Sequence, residues 1–124
     1  MTPNTILVVD DEADIRESLR DALGDEGYAV RLAANGKEAL HLLSTLNRPG
    51  GIILDLTMPV MNGTEFYNAM RAVPALADIP VVISTSDPYR APSGVPVMRK
   101  PANLEQLLSM VDALVRSGRP YTAM

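Results

Sequence analysis

Residues 5–11 read TILVVDD, a run of apolar, mostly β-branched residues that ends in two carboxylates. A strand that is apolar along its whole length is buried on both faces, which is typical of the parallel sheets of α/β proteins. The run therefore predicts a buried strand over 5–9, with Asp10 and Asp11 at its carboxyl end.

Further strands alternate with helical patterns along the rest of the chain. The other predicted strands cover 28–33, 52–54, 81–83 and 95–98. The predicted helices begin near Ile15, at Asn35, near Thr64 and at Asn103, and Phe66, Met70 and Val73 are expected to point inward from the third of them. Strands that alternate with helices predict a parallel sheet with right-handed crossovers and helices on both faces.

Length and composition limit the function classes. The chain has 124 residues, which suits one domain over 1–124, and we expect 117–124 to be a flexible tail. Its net charge of −4 argues against binding to nucleic acid, and its lack of cysteine excludes thiol chemistry. With one histidine and no long apolar run or signal peptide, we expect a stand-alone, cytoplasmic domain that has no zinc site and no contact with a membrane.

Polar side chains follow four of the five predicted strands. Asp10 and Asp11 follow the first, Asp55 the third, the hydroxyls of 84–86 the fourth, and Lys100 the fifth. Ligands of an open parallel sheet bind at the carboxyl ends of its strands, so these groups are expected to converge. Each alone is more typical of a turn or a helix cap, but their joint occurrence favours a site.

Clustered carboxylates repel one another unless a cation joins them, and oxygen ligands of this kind suit Mg²⁺. A carboxylate can also accept a phosphoryl group. Phosphoryl transfer needs a metal, a cation and hydrogen-bond donors around the phosphoryl oxygens. Mg²⁺, Lys100 and the Thr85 hydroxyl are the candidates for these three roles.

Four motifs together resemble the receiver domain of bacterial two-component response regulators. They are ILVVDDE at 6–12, ILDLTMPVMNG at 53–63, PVVISTS at 80–86 and RKP at 99–101. The resemblance covers nearly the whole chain. It implies a doubly wound, five-stranded parallel sheet with the flavodoxin-like order 2-1-3-4-5.

The resemblance also assigns roles to residues. It makes Asp55 the phosphoacceptor, with Asp11, Asp55 and the Thr57 backbone carbonyl on Mg²⁺ and Asp10 orienting metal-bound water. Lys100 would pair with the Asp55 carboxylate or its phosphate, Thr85 would close onto the phosphoryl oxygen, and a cis bond before Pro101 would aim the lysine. The phosphodonor would be a phosphohistidine on a sensor histidine kinase or a histidine phosphotransfer protein. The domain would then be a switch with limited self-catalysed phosphorylation and dephosphorylation rather than a turnover enzyme.

Two features depart from the family pattern. Only residues 85–94 separate the fourth and fifth predicted strands, and Pro88, Pro92 and Gly94 oppose a helix there, so the fourth crossover helix is expected to be absent or reduced to a turn. Val97 stands where the family often has an aromatic residue that turns with Thr85. By family analogy, Thr57 and Asp87 flank the path of the water that removes the phosphoryl group.

Three alternatives remain at this stage. The first is a pseudo-receiver, an interaction module that works without phosphorylation, which the missing helix favours. The second is an aspartyl phosphatase of the haloacid dehalogenase kind, although Thr57 stands where that family has a second aspartate. The third is a nucleotide-binding domain, which lacks support because no glycine-rich loop follows the first strand. The sequence does not indicate the oligomeric state or the downstream protein.

Overall fold

A computed structural model describes residues 5–45, 48–100 and 103–117. Its strands are β1 (Thr5–Val9), β2 (Ala29–Ala33), β3 (Gly51–Leu54), β4 (Val81–Thr85) and β5 (Val97–Arg99). Its α-helices are α1 (Ala13–Asp25), α2 (Gly36–Thr45), α3 (Gly63–Arg71) and α4 (Leu104–Ser117). No helix in this part of the chain is long and apolar enough to cross a membrane.

The five strands form one parallel sheet in the order β2-β1-β3-β4-β5, as predicted. In the centre of the sheet, β1 and β3 pair in a register that sets Val9 beside Leu54. The residues that follow these two strands, Asp10 and Asp55, therefore leave the sheet side by side. The backbone register of β1 and β3 alone thus brings these two carboxylate residues together at one edge of the sheet.

Each face of the sheet carries its own hydrophobic core. Leu7 and Val9 of β1 face a cluster that contains Phe66 and Met70 of α3. The alternate residues Ile6 and Val8 face a second cluster, formed with α1 and α4. This alternation explains why β1 is apolar at every position from Ile6 to Val9.

The third helix departs from the prediction at both ends. It begins with a capping box that the sequence analysis missed, in which the Asn62 side chain accepts a bond from the Glu65 amide and Glu65 bonds back to the Asn62 amide. It ends at Arg71, so Val73 lies in the following turn with 42% of its surface exposed rather than pointing inward. The expectation for Val73 was therefore wrong, because the helical period was extended past the true end of the helix.

The connection between β4 and β5 contains a single turn of 3₁₀ helix, Pro88–Arg90, and no α-helix. The turn is closed by the Ala91 amide, which donates to the Pro88 carbonyl across 3.1 Å. The predicted reduction of the fourth crossover helix to a turn is thus confirmed. The predicted fifth strand was placed too early, because Val95 and Pro96 precede the first ladder residue, Val97.

Two predictions fall on residues that the structure does not describe. The first is the cis bond before Pro101, which is not a described residue. The second is the flexible tail over 117–124, of which only Ser117, the last residue of α4, is described.

Candidate functional site

Asp10 and Asp55 form the centre of the site. Main-chain bonds extend the sheet through both residues: the Asp10 amide donates to the Ala33 carbonyl across 3.0 Å, and the Asp55 amide to the Val9 carbonyl across 2.9 Å. Asp10 and Asp55 retain only 2% and 5% of their surface exposure. A buried carboxylate is unfavourable unless it is paired or hydrogen-bonded, so the groups around Asp10 and Asp55 show how each charge is stabilised.

Asp11 completes an acidic cluster. It is exposed, and Asp10, Asp11 and Asp55 each offer one carboxylate oxygen within 4.8 Å of the others. Three oxygens at this spacing are a donor set that suits a hard cation such as Mg²⁺. The structure thus brings together the three carboxylates that the sequence analysis selected.

Lys100 lies against the two buried carboxylates. Its Nζ is 2.8 Å from Asp10 Oδ2 and 3.5 Å from Asp55 Oδ1. Its main-chain amide donates to the Thr85 carbonyl across 2.8 Å and so extends the pairing of β4 and β5 beyond Arg99. Burial acts to lower the pKa of Lys100, but the hydrogen bond to Asp10 and the charges of Asp10 and Asp55 outweigh it and raise that pKa. Lys100 is therefore held as a cation.

The surroundings act differently on Asp55. Burial, followed by the negative charge of Asp10, raises its pKa to about 6, although Lys100 and the Thr57 amide favour the ionised form. The Thr57 amide lies 3.4 Å from Asp55 Oδ1. At neutral pH the Asp55 carboxylate is ionised, but burial and the Asp10 charge make the ionised form less stable than it would be in water. Positive charge added beside the Asp55 carboxylate would therefore stabilise its ionised form.

Thr85 lies at the end of β4 with 1% of its surface exposed. Its Oγ1 accepts a hydrogen bond from the Asp87 amide across 3.1 Å, and the Asp87 carboxylate lies 3.6 Å from Arg90 Nε. Thr85 is thus bound to the loop that follows it. Val97 does not lie in the acidic site, because it packs against the hydrophobic core on the α2–α3 face of the sheet.

The loop between β3 and α3 passes close to Asp55. The Gly63 amide donates to the Leu56 carbonyl across 2.9 Å. A Cβ atom at Gly63 would lie 2.2 Å from the Asp55 carbonyl oxygen, so only glycine fits there. Within the same loop, Val60 has a φ of 69°, a left-handed conformation that is unfavourable for a β-branched residue.

Two further residues, Arg16 and Glu12, hold Asp10, and the sequence analysis did not give them this role. Arg16 Nη1 donates to the Asp10 carbonyl across 2.7 Å, and the Glu12 amide donates to Asp10 Oδ1 across 2.9 Å. The Glu12 carboxylate is also 4.0 Å from Lys100 Nζ. An arginine one helical turn into α1 was the available signal, since its side chain is long enough to reach back to the end of β1.

The acidic site opens into a cleft of about 690 Å³ between α1 and α4. Polar groups of Asp11, Asp55, Thr57 and Lys100 line one part of it. Ile15, Leu19, Leu104 and Leu107 line the other part. A protein segment that reaches Asp55 through this cleft would meet apolar surface beside the acidic cluster.

Comparison with known proteins agrees with this geometry. The family model of the response regulator receiver domain matches residues 6–112. The chain belongs to this family. Receiver domains are signalling switches of two-component systems, and they bind Mg²⁺ at an acidic pocket. In this chain Asp10, Asp11 and Asp55 form an acidic cluster that could hold a metal ion.

Individual proteins are similar over most of the receiver domain. Response regulator MprA of Mycobacterium sp. strain KMS is 38% identical over 125 aligned positions, which cover 95% of this chain and 53% of that protein. The chain therefore spans about half the length of this curated relative.

Two solved structures share both fold and sequence. The receiver domain of a signal transduction histidine kinase from Syntrophus aciditrophicus is 34% identical, with a TM-score of 0.83 and coverage of 91% of this chain and 90% of that chain. The chemotaxis response regulator CheY4 of Vibrio cholerae is also 34% identical, with a TM-score of 0.78 and coverage of 89% and 97%.

Proposed function

We propose that this chain, as a single domain over 1–124, is a phosphoryl-accepting switch in which Asp55 takes a phosphoryl group from a phosphohistidine. The donor would be a sensor histidine kinase or a histidine phosphotransfer protein. The observation that carries the proposal is the position of Lys100 Nζ, 2.8 Å from Asp10 and 3.5 Å from Asp55 beside a third carboxylate. Such an arrangement supports the proposal, because phosphoryl transfer needs a nucleophile, a cation and metal ligands close together.

The proposed reaction forms one bond and breaks one. A carboxylate oxygen of Asp55 attacks the phosphorus atom, the bond from phosphorus to the imidazole nitrogen breaks, and the nitrogen keeps the electron pair and takes up a proton. The residues present fit Mg²⁺, and we assign it to Asp11, Asp55 and the Thr57 carbonyl, with Asp10 orienting its water. When bound, Mg²⁺ supplies positive charge for the phosphoryl oxygens.

The chain's own residues have separate tasks in this proposal. Lys100 balances the charge that accumulates on the phosphoryl oxygens. Thr85 leaves the Asp87 amide and donates its hydroxyl to one of those oxygens. Thr57 and Asp87 set the lifetime of the acyl phosphate through their effect on the attacking water. Catalysis is limited to this self-phosphorylation and dephosphorylation.

Intact mass spectrometry after incubation with Mg²⁺ and a small acyl phosphate tests the proposal. We expect a phosphate-sized mass gain in the wild type and in Asp25→Asn, an exposed control at the end of α1, but none in Asp55→Asn. A gain that persists in Asp55→Asn would place the acceptor elsewhere and contradict the proposal.

The second candidate is a pseudo-receiver that binds partners without phosphorylation. The 3₁₀ turn between β4 and β5 favours it, because the crossover helix that the family usually has there is missing. Calorimetric titration with Mg²⁺ separates the candidates. If the wild type neither binds Mg²⁺ nor gains phosphate, the pseudo-receiver is correct.

A further inference from the structure

The side of α3 that faces β5 lacks a covering helix. On its other side α3 packs against α2, and the only element between β4 and β5 is the 3₁₀ turn Pro88–Arg90. A groove of about 80 Å³ remains between α3 and the segment before β5. It is lined by Tyr67, Arg71, Ile79, Val81, Ser93, Gly94, Val95 and Pro96.

One arginine lines this groove, and two others lie on the neighbouring 3₁₀ turn and on β5. Arg71 lies in it, with its guanidinium carbon 5.5 Å from the centre of the Tyr67 ring and its Nη1 2.7 Å from the Tyr67 hydroxyl. Val97 packs on the α3 face of the sheet and Met98 on the opposite face. Because side chains alternate between the faces along a strand, the exposed Arg99 lies on the same face as Val97. Arg90 lies on the turn that contacts β5.

We call this surface the arginine edge, defined as Tyr67, Arg71, Tyr89, Arg90, Val95 and Arg99. Its three arginines make it positive even though Arg90 Nε lies 3.6 Å from the Asp87 carboxylate, whereas the whole chain has a net charge of −4. None of the eight residues that line the groove is acidic. Tyr89 is 94% exposed, an unusual state for an aromatic side chain in a folded domain. Tyrosine and arginine are the residues in which binding hot spots are enriched.

We propose that the arginine edge docks an acidic segment of a partner protein, with aspartate or glutamate side chains on either side of one small apolar residue. The acidic side chains pair with Arg71 and Arg99, and the apolar residue enters the groove. A volume of 80 Å³ holds two or three waters at ~30 Å³ each, and so admits one short aliphatic side chain. The net charge of −4 opposes nucleic acid as the occupant.

Addition of a β-strand from the partner does not fit this edge. The outermost strand, β5, has three residues, is preceded by Pro96, and carries the exposed Arg99. Short length, proline and charge are the features that protect an edge strand from pairing. The partner segment therefore binds through side chains, in the space where the fold usually has its fourth crossover helix.

An NMR titration of the ¹⁵N-labelled chain tests the proposal. The probe is a short synthetic peptide of alanine and glutamate with one central valine, and the control peptide has glutamine in place of glutamate. We expect saturable shifts of the amides of Tyr67, Arg71 and Val95 with the first peptide only. Arg71→Gln and Arg99→Gln should each weaken binding by about threefold, since each removes one partly exposed charge pair.

Arg20→Gln on α1 is the matched control, because Arg20 is also half-exposed and pairs with a neighbouring aspartate, Asp21. Its affinity should equal that of the wild type, and the amide spectra show that each variant is folded. Shifts elsewhere, no shifts, or equal binding of the glutamine peptide would overturn the proposal. Shifts of the same amides on concentrating the protein alone would make the occupant a second copy and also overturn it.

Discussion

The Asp87 amide donates a hydrogen bond to Thr85 Oγ1 across 3.1 Å. The bond joins a hydroxyl buried at the end of β4 to the first turn of the loop that replaces a helix. The Thr85 hydroxyl only accepts in this bond, so it keeps its own hydrogen to donate to another group. If Thr85 turns toward a phosphoryl group on Asp55, as we propose, that movement would act on the loop through this one side chain.

Removal of the Thr85 hydroxyl should loosen the loop. In Thr85→Val the Asp87 amide loses a hydrogen bond worth about 1 kcal/mol, so we expect amide hydrogen exchange in 86–91 to increase about fivefold. Exchange monitored by mass spectrometry measures the effect. The control is Thr45→Val, which alters an exposed hydroxyl bonded to the Leu42 carbonyl within α2. Unchanged exchange in 86–91 would mean that the bond does not hold the loop.

A phosphoryl analogue should act on the same segment. We expect beryllofluoride with Mg²⁺ to change hydrogen exchange across 86–94 in the wild type, because Thr85 turns from the Asp87 amide to the analogue. The change should be absent in Thr85→Val and in Asp55→Asn. If exchange in the wild type stays the same while beryllofluoride binds, the loop is not a switch.

Asp55 should make stability depend on pH. Its pKa is about 6 in the folded protein, above the ordinary 3.8, so its favourable contribution is present below pH 3.8 and is lost as the pH rises through 6. Asp55→Asn should therefore raise the free energy of unfolding by about 1–3 kcal/mol at pH 7 in the absence of Mg²⁺, but by much less at pH 4. Urea denaturation at both pH values measures the difference. The exposed control Asp25→Asn should change it by less than about 0.5 kcal/mol at either pH.

Loss of the Lys100 charge should raise the pKa of Asp55 further. Lys100 favours the ionised form of Asp55, so Lys100→Gln should move that pKa upward. Titration of the aspartate carboxyl carbons by ¹³C NMR measures the shift. Lys37→Gln removes an exposed lysine on α2 and should leave the Asp55 titration unchanged. An unchanged pKa in Lys100→Gln would show that the ion pair is not formed in solution.

Gly63 should tolerate no side chain. A Cβ atom there would overlap the Asp55 carbonyl oxygen at 2.2 Å, so Gly63→Ala must displace the end of β3 or the start of α3. We expect a loss of about 2–4 kcal/mol in the free energy of unfolding and weaker Mg²⁺ binding. The matched control is Gly24→Ala in α1, whose Cβ would meet no atom within 4 Å and which should stabilise the protein by up to ~1 kcal/mol. Equal effects of the two substitutions would contradict the steric argument.

The sequence predicted the acidic cluster because it follows from which residues end each strand, whereas the strand order was implied by the resemblance to receiver domains. The run at 5–11 shows where Asp10 must emerge, and parallel pairing brings Asp55 beside it. The shortened connection after β4 was also predictable, since proline acts through local backbone geometry.

Tertiary contacts explain what the sequence analysis missed. The bond from Arg16 to the Asp10 carbonyl depends on how α1 lies over the sheet, and the need for glycine at 63 depends on how closely α3 approaches β3. The position of Val73 could not be predicted from periodicity, because the helix ends before that residue.

The short connection after β4 also affects how the sheet assembles. Ile83 and Val97, which pair between β4 and β5, are 14 positions apart, whereas Ile52 and Val81, which pair between β3 and β4, are 29 apart. Each doubling of a loop adds about 0.6 kcal/mol to the entropy cost of closing it. Once β4 is in place, β5 therefore joins the sheet at the lowest closure cost of the parallel pairs. The strand that positions Lys100 is thus joined to its neighbour by the shortest connection among the parallel pairs of the sheet.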